Sequence, residues 1–328
     1  MESHSIPFVS IVIPVFNRED LVVKSIKSAI SQTYLNYEII VYDNCSTDST
    51  WEVVSRLKEQ YQTLRIYRQI ENVGPVRNWY SAISKANGEY VKVLFSDDLM
   101  YPDYLEETVG KFNDDVGFVI TSFDMGKDSN NAIVVNDWPD IDGQISSSVY
   151  IEKALTRFAF LVSPGAAIFR TSDVLEVFEE EIPSPRLSNF KSHGAGPDLI
   201  IFLKIANKYP FIYKSKMSLV LFRDHFDSQT NKMNKSKEGL IQSSYMQTRV
   251  YFTEQQYPKF RHKMLGKALF VELLQNKNMN ALSTSWVVRN YSRDSQYSPL
   301  RIWGGFISAF KNALYEIFRR KFRQRKAA

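Results

Sequence analysis

Along the first 125 residues, short apolar runs alternate with stretches in which apolar positions recur every three or four residues. Residues 8–15 are almost continuously apolar, the pattern of a strand covered on both faces. Residues 21–32 then repeat apolar side chains at helical spacing (Leu21, Ile26, Ala29, Ile30). The same reading predicts strands over 37–42, 64–68 and 90–95, with helices over 49–61 and 75–86 between them. Asp48 or Ser49 suits a helix cap, Pro75 suits a first turn, and Asn87-Gly88 suits a helix end. Strict strand–helix alternation predicts an α/β fold, a mostly parallel sheet flanked by helices.

The pattern loosens over 124–148, where Asp, Asn, Gly and Ser predict loops and short hairpins. Helices are expected over 149–160 and 198–208, and strands near Phe211 and over 217–223. Residues 182–197 carry three prolines and two glycines and read as a long loop, a common form for a lid or binding segment. Residues 227–238 read as a polar, Lys-rich linker, followed by helices to the end. In the last helix Trp303, Phe306, Ile307, Phe310, Leu314, Ile317 and Phe318 recur at three- and four-residue steps, and a run rich in Arg and Lys follows over 319–326. Such a face either packs on the main domain or lies on an anionic membrane surface, and the density of cations favours the membrane.

Polar residues gather where the predicted strands end. The first strand ends in Pro14-Val15-Phe16-Asn17-Arg18, the second in Asp43-Asn44-Cys45-Ser46-Thr47-Asp48, and the fourth in Ser96-Asp97-Asp98. Asn72-Val73-Gly74-Pro75-Val76-Arg77 follows the third. Any one cluster is ordinary turn chemistry, but four on one sheet edge predict a binding cleft. The adjacent carboxylates Asp97 and Asp98 read either as a helix N-terminus or as ligands of a divalent cation, which relieves their repulsion. No G-x-G-x-x-G and no G-x-x-x-x-G-K-[ST] motif is present, which argues against the two commonest phosphate cradles.

Composition narrows the setting. The 328 residues, 44% hydrophobic, suffice for one large domain with an appendage. A single cysteine, Cys45, excludes a disulfide framework and fits a reducing compartment. The N-terminus lacks a secretory pattern, and no apolar run reaches membrane-spanning length. The expected location is cytoplasmic, peripheral at the inner face of the cell membrane. Net charge is +5, but residues 301–328 carry eight Lys/Arg against one acid, a local +7 that leaves −2 for the first 300 residues. The basic character belongs to the tail, so nucleic acid is not an expected partner.

The ordered elements Ile11-Val12-Ile13-Pro14-Val15-Phe16-Asn17-Arg18, Val41-Tyr42-Asp43-Asn44-Cys45-Ser46-Thr47-Asp48, Asn72-Val73-Gly74, Arg77-Asn78, Ala86-Asn87-Gly88-Glu89-Tyr90 and Ser96-Asp97-Asp98 resemble those of family 2 glycosyltransferases with the GT-A fold. Gly196-Pro197-Asp198 opening a helix, and Arg223-Asp224-His225, resemble two later elements of that family. The resemblance implies a catalytic domain over 1–230, with a nucleotide-sugar-binding part over 1–110 and an acceptor part over 111–230. A helical extension over 231–328 follows. It implies inverting transfer of a sugar from a UDP-sugar to an acceptor hydroxyl, on a glycan or lipid-linked glycan of a surface polysaccharide.

Carried over by position, the resemblance makes Pro14, Val15, Phe16, Asn17, Arg18, Asp43, Asn72, Gly74, Arg77, Ser96, Asp97 and Asp98 donor-binding residues. Asp43 would accept from uracil N3–H, Arg77 would lie near the base or diphosphate, and Asp97 would hold ribose. Asp98, with His225, would ligate Mn2+ or Mg2+. Asp198 would be the catalytic base, although a first-turn acid for its helix is the plainer reading of the same position. Members commonly read D-x-D-D where this chain has Phe95-Ser96-Asp97-Asp98, so one carboxylate is replaced. That replacement motivates a second reading, a catalytically inactive sugar-nucleotide or glycan-binding relative.

Overall fold

The computed structural model describes residues 6–135, 141–157, 160, 162–185, 190, 193–225, 240–275 and 283–326. The alternation expected at the N-terminus is present: β1 (Val9–Val15), α1 (Val22–Ile30), β2 (Tyr37–Asp43), α2 (Thr50–Gln60), β3 (Leu64–Arg68), α3 (Pro75–Ile83) and β4 (Tyr90–Val93). All seven residues of β1 are buried. Its side chains divide between two cores, Ile11 and Ile13 on one face of the sheet and Val12 on the other. That division is why the run lacks polar alternation.

The chain continues through β5 (Leu99–Met100), α4 (Tyr104–Val109), β6 (Val116–Gly126), β7 (Ile133–Val135), β8 (Gly143–Ser146), α5 (Ser147–Thr156), β9 (Ala167–Arg170), α6 (Thr171–Val177), α7 (Pro197–Lys208) and β10 (Phe211–Arg223). The main sheet runs β3-β2-β1-β4-β9-β6-β10-β5, with β7 paired to β6 and β8 to β10. β3, β2, β1 and β4 are mutually parallel, β9 enters antiparallel between β4 and β6, and β10 lies parallel to β6. Strand order reverses at β1, where β2 and β4 flank it. This topological switch point opens a crevice beyond the strands' carboxyl ends. The two strand signals expected near Phe211 and over 217–223 belong to one strand, β10, whose pairing with β6 shifts register between Lys214 and Ser218. The bulge breaks the apolar periodicity.

Among the described residues, four more α-helices follow: α8 (Leu240–Gln255), α9 (Arg261–Gln275), α10 (Thr284–Tyr291) and α11 (Pro299–Lys326). The linker expected over 227–238 lies outside the described residues. The helices are packed into the sheet's own core: Met246, Val250, Phe252, Leu265, Leu269, Val287 and Ile302 share one cluster with Phe118, Phe169 and Phe202. α9 and α11 cross in backbone contact, because a Cβ on Gly266 would lie 2.2 Å from the Ile302 carbonyl oxygen. Only glycine permits that approach. Ile302, Phe306 and Ala309 face α9, whereas Leu300, Trp303, Ile307, Phe310 and Leu314 are exposed, from 40% at Leu314 to 84% at Leu300. The apolar stripe read from the sequence therefore contains both a packed seam and an open one. The side chains of Ile317, Phe318 and the basic residues beyond them are not described.

Candidate active site

The crevice at the switch point is built from interlocked turns. After β1 the chain turns at Asn17 (φ 50°), and after β2 at Cys45 (φ 59°), both in the left-handed region. Each turn holds the other. Asn17 N–H donates to Ser46 Oγ at 2.9 Å, Thr47 N–H to Asn17 Oδ1 at 2.9 Å, and Arg18 N–H to Thr50 Oγ1 at 2.8 Å. Polar residues that resemble generic turn formers thus fix two loops against each other.

Asp43, the last residue of β2, is fully buried. Its carboxylate accepts from Ser46 N–H and Ser46 Oγ and pairs with Arg68 Nε at 3.1 Å. Arg68 sits directly across from Asp43 in the β2–β3 register. It had no role in the sequence reading, though aligning the strand ends pairs the two. Beside this cluster, Asn72 Oδ1 accepts from Asn44 Nδ2 and from Gly74 N–H, both at 2.9 Å, closing the turn that leads into α3. Arg77 projects from α3 with its side chain 60% exposed and Nε 3.5 Å from Glu180.

The acidic pair follows β4, which ends at Val93, two residues earlier than the pattern suggested. Asp98 N–H donates to the Phe95 carbonyl at 2.9 Å, turning the backbone so that the two carboxylates diverge. Asp97 Oδ2 lies 3.1 Å from His225 Nε2 and 3.9 Å from Arg18 Nε. Asp98 is nearly buried, and its Oδ1 accepts from Arg223 N–H at 3.0 Å. The end of β10 thus delivers Arg223 and His225 to the pair across more than 120 residues of sequence. His225 touches Asp97, not Asp98, the residue with which the sequence reading grouped it. The Arg223 guanidinium clamps the turn from below, donating to the Asp97 carbonyl, to the Leu21 carbonyl at 3.1 Å and to Ser25 Oγ at 3.1 Å.

Burial, and then the Asp97 charge, push the Asp98 carboxyl well above the usual carboxylate range, against the pull of Arg223 and Lys92. Lys92 is itself fully buried, donating to the Gly165 carbonyl with its ammonium 4.3 Å from the Tyr104 ring centroid. Desolvation pushes its proton affinity down, and only Asp98 opposes that. Among the described residues, no three or more His, Cys, Asp or Glu side chains come together as a group that could hold a metal ion. Asp97 and His225 do meet, and with Asp98 in the next position they are of the oxygen and imidazole types that suit a hard or borderline divalent cation.

Asp198 stands in the first turn of α7, entered through Gly196 at φ 115°, a conformation open to glycine. Its Oδ1 accepts from Gly196 N–H at 2.8 Å and Leu199 N–H at 2.7 Å. Oδ2 accepts from the Tyr245 hydroxyl at 2.6 Å. Burial pushes the carboxyl up to about 6, opposed by these three hydrogen bonds and by nearby Arg249. Asp198 is therefore a first-turn acid of its helix, and a carboxyl pushed up to about 6 also suits a general base near neutral pH.

The glycosyl transferase family 2 model matches residues 10–178, just over half the chain. The chain belongs to that family. An uncharacterized glycosyltransferase of Rickettsia felis is 26% identical over 288 residues, 86% of this chain and 44% of its own length. A relative from Rickettsia conorii is covered to 42%, so this chain spans less than half of either relative. Over 90 residues, 27% of this chain and 35% of the other, it is 37% identical to an Escherichia coli UDP-Glc:alpha-D-GlcNAc-diphosphoundecaprenol beta-1,3-glucosyltransferase, WfaP. The crystal structure of S. aureus TarS residues 1–349 with UDP-GlcNAc superposes with a TM-score of 0.65 at 15% identity, covering 97% of this chain and 92% of that one. The GT-A fold implied by the sequence is thereby shown.

In this family 2 member, Phe95 stands where the resemblance would place an acid. Its ring packs 5.4 Å from that of Trp79 and against Gly165, and Trp79 in turn closes on Gly194. The replacement joins the floor of the acidic pair to the loop that leads to Asp198.

Proposed function

We propose that this glycosyltransferase moves a sugar from a UDP-sugar to an acceptor hydroxyl with inversion, using a divalent cation. The Asp97–His225 contact beside the buried Asp98, at the switch point, carries the reading. The donor diphosphate brings two negative charges to a crevice with no glycine-rich cradle; Asp98 and the Asp97–His225 pair would hold a Mn2+ or Mg2+ ion, which would supply counter-charge to the leaving group. Arg18 adds a fixed cation beside Asp97. Asp43 reads the base, with Arg68 and Ser46 setting the carboxylate's orientation. Asp97 holds ribose, and Pro14, Val15, Phe16, Asn17, Asn72, Gly74 and Ser96 line the donor. Arg77 reaches the donor by exchanging Glu180 for it.

Asp198 takes the proton of the acceptor hydroxyl as its oxygen bonds to the anomeric carbon. The bond to the diphosphate breaks on the opposite face, so the configuration inverts. The donor class is supported by the WfaP name and by UDP-GlcNAc in the TarS crystal. The WfaP name also supports a lipid-linked glycan acceptor. Offering a panel of nucleotide sugars with manganese tests the donor assignment: slow hydrolysis of one UDP-sugar is expected, and hydrolysis confined to GDP- or CMP-sugars contradicts it.

The same proposal puts the chain on an anionic membrane surface. Among the described residues no helix is long and apolar enough to cross a membrane. The open seam of Leu300, Trp303, Ile307, Phe310 and Leu314 continues into a run of six Lys/Arg over 319–326. Each cation near anionic lipid contributes about 1 kcal/mol. In liposome sedimentation, Trp303→Ser together with Phe310→Ser is expected to abolish pelleting with phosphatidylglycerol vesicles, and undiminished pelleting removes this role.

A further inference from the structure

We propose that Tyr245, from the C-terminal helical region, is a positioning residue for the catalytic base. The inference rests on the reading of Asp198 as that base. An ionised carboxylate offers roughly four acceptor sites. Backbone N–H groups of Gly196 and Leu199 occupy two on Oδ1, and the Tyr245 hydroxyl occupies one on Oδ2. One direction on Oδ2 is left for the acceptor hydroxyl, so the phenol sets the angle from which the acceptor approaches.

The arrangement is built to be rigid. Arg249, one turn after Tyr245 on α8, is buried and donates from Nε to the Ala154 carbonyl at 2.9 Å, tying α8 to the end of α5. Thr248 on the same helix lies against Gly196, which leads into the Asp198 turn. Burial, and then the Asp198 charge, push the Tyr245 hydroxyl well above its ordinary value, so it remains a donor throughout the working range. Among the described residues, the charged or titratable groups acting on Asp198 are Tyr245 and Arg249, both from α8, and its own turn contributes backbone N–H groups. A hydrogen bond to the carboxylate stabilises the ionised form that accepts the proton. Removing it favours the protonated form.

The test is the pH profile of kcat in the full chain. The base works deprotonated, so wild type is expected to lose rate as pH falls through about 6. In Tyr245→Phe this acid limb is expected to move about one unit to higher pH, with UDP affinity unchanged. Tyr245→Leu, which also lacks the hydroxyl, is expected to show the same displaced limb. An unmoved limb in both variants, with Asp198→Asn inactive, overturns the role of Tyr245 and leaves the base assignment standing. A fully active Asp198→Asn overturns the base assignment itself.

Discussion

Replacing Asp198 with Asn is expected to lower kcat roughly 10³-fold, the usual size of a general-base contribution, while UDP affinity stays within a few-fold of wild type. The amide keeps the side chain's shape, and its oxygen still accepts from the N–H groups of Gly196 and Leu199. What is lost is the capacity to take a proton. Asp198 sits on α7 with Tyr245 behind it, whereas Asp97 and Asp98 follow β4. Separating the two clusters on different elements predicts separable defects. Single-turnover transfer and calorimetric UDP binding, measured on the same preparation, check it. A variant with normal turnover would return Asp198 to the role of a helix-start acid.

The second large effect is expected at the acidic pair. Asp98→Asn removes the charge while keeping an oxygen for the Arg223 N–H, so the turn survives. Loss of the charge leaves Asp97 and His225 as a two-ligand remnant. Transfer is expected to fall by roughly 10³-fold, in line with removal of a main electrostatic contact to the leaving group, and manganese is expected to lose its effect on UDP affinity. Asp97→Asn is expected to be milder toward the ion and more damaging toward His225, whose Nε2 lies 3.1 Å from the Asp97 carboxylate.

The first four strands and their polar ends were legible because covered strands leave continuous apolar runs and each run stops at its functional loop. The acidic pair could be located for the same reason. His225 was recognisable as a residue type, but its partner was not. The bulged register of β10 decides that it meets Asp97, and bulges leave no periodic trace. Tyr245 was invisible because a tyrosine on a helix of mixed polarity has no pattern that distinguishes an active-site contact from packing. β6 and β9 were not read as strands although both are largely buried within the sheet. α11 shows the converse limit. Ile302 and Phe306 on one seam and Trp303 and Ile307 on the next are indistinguishable in sequence, and only the Gly266–Gly305 crossing decides which seam is covered.

The account stands most directly on a titration of the wild-type chain with UDP, run once with manganese and once in EDTA, and repeated with Asp98→Asn. It predicts that manganese tightens UDP binding at least ten-fold in wild type and leaves the variant unaffected. Equal affinity for UDP in wild type with and without the ion contradicts it.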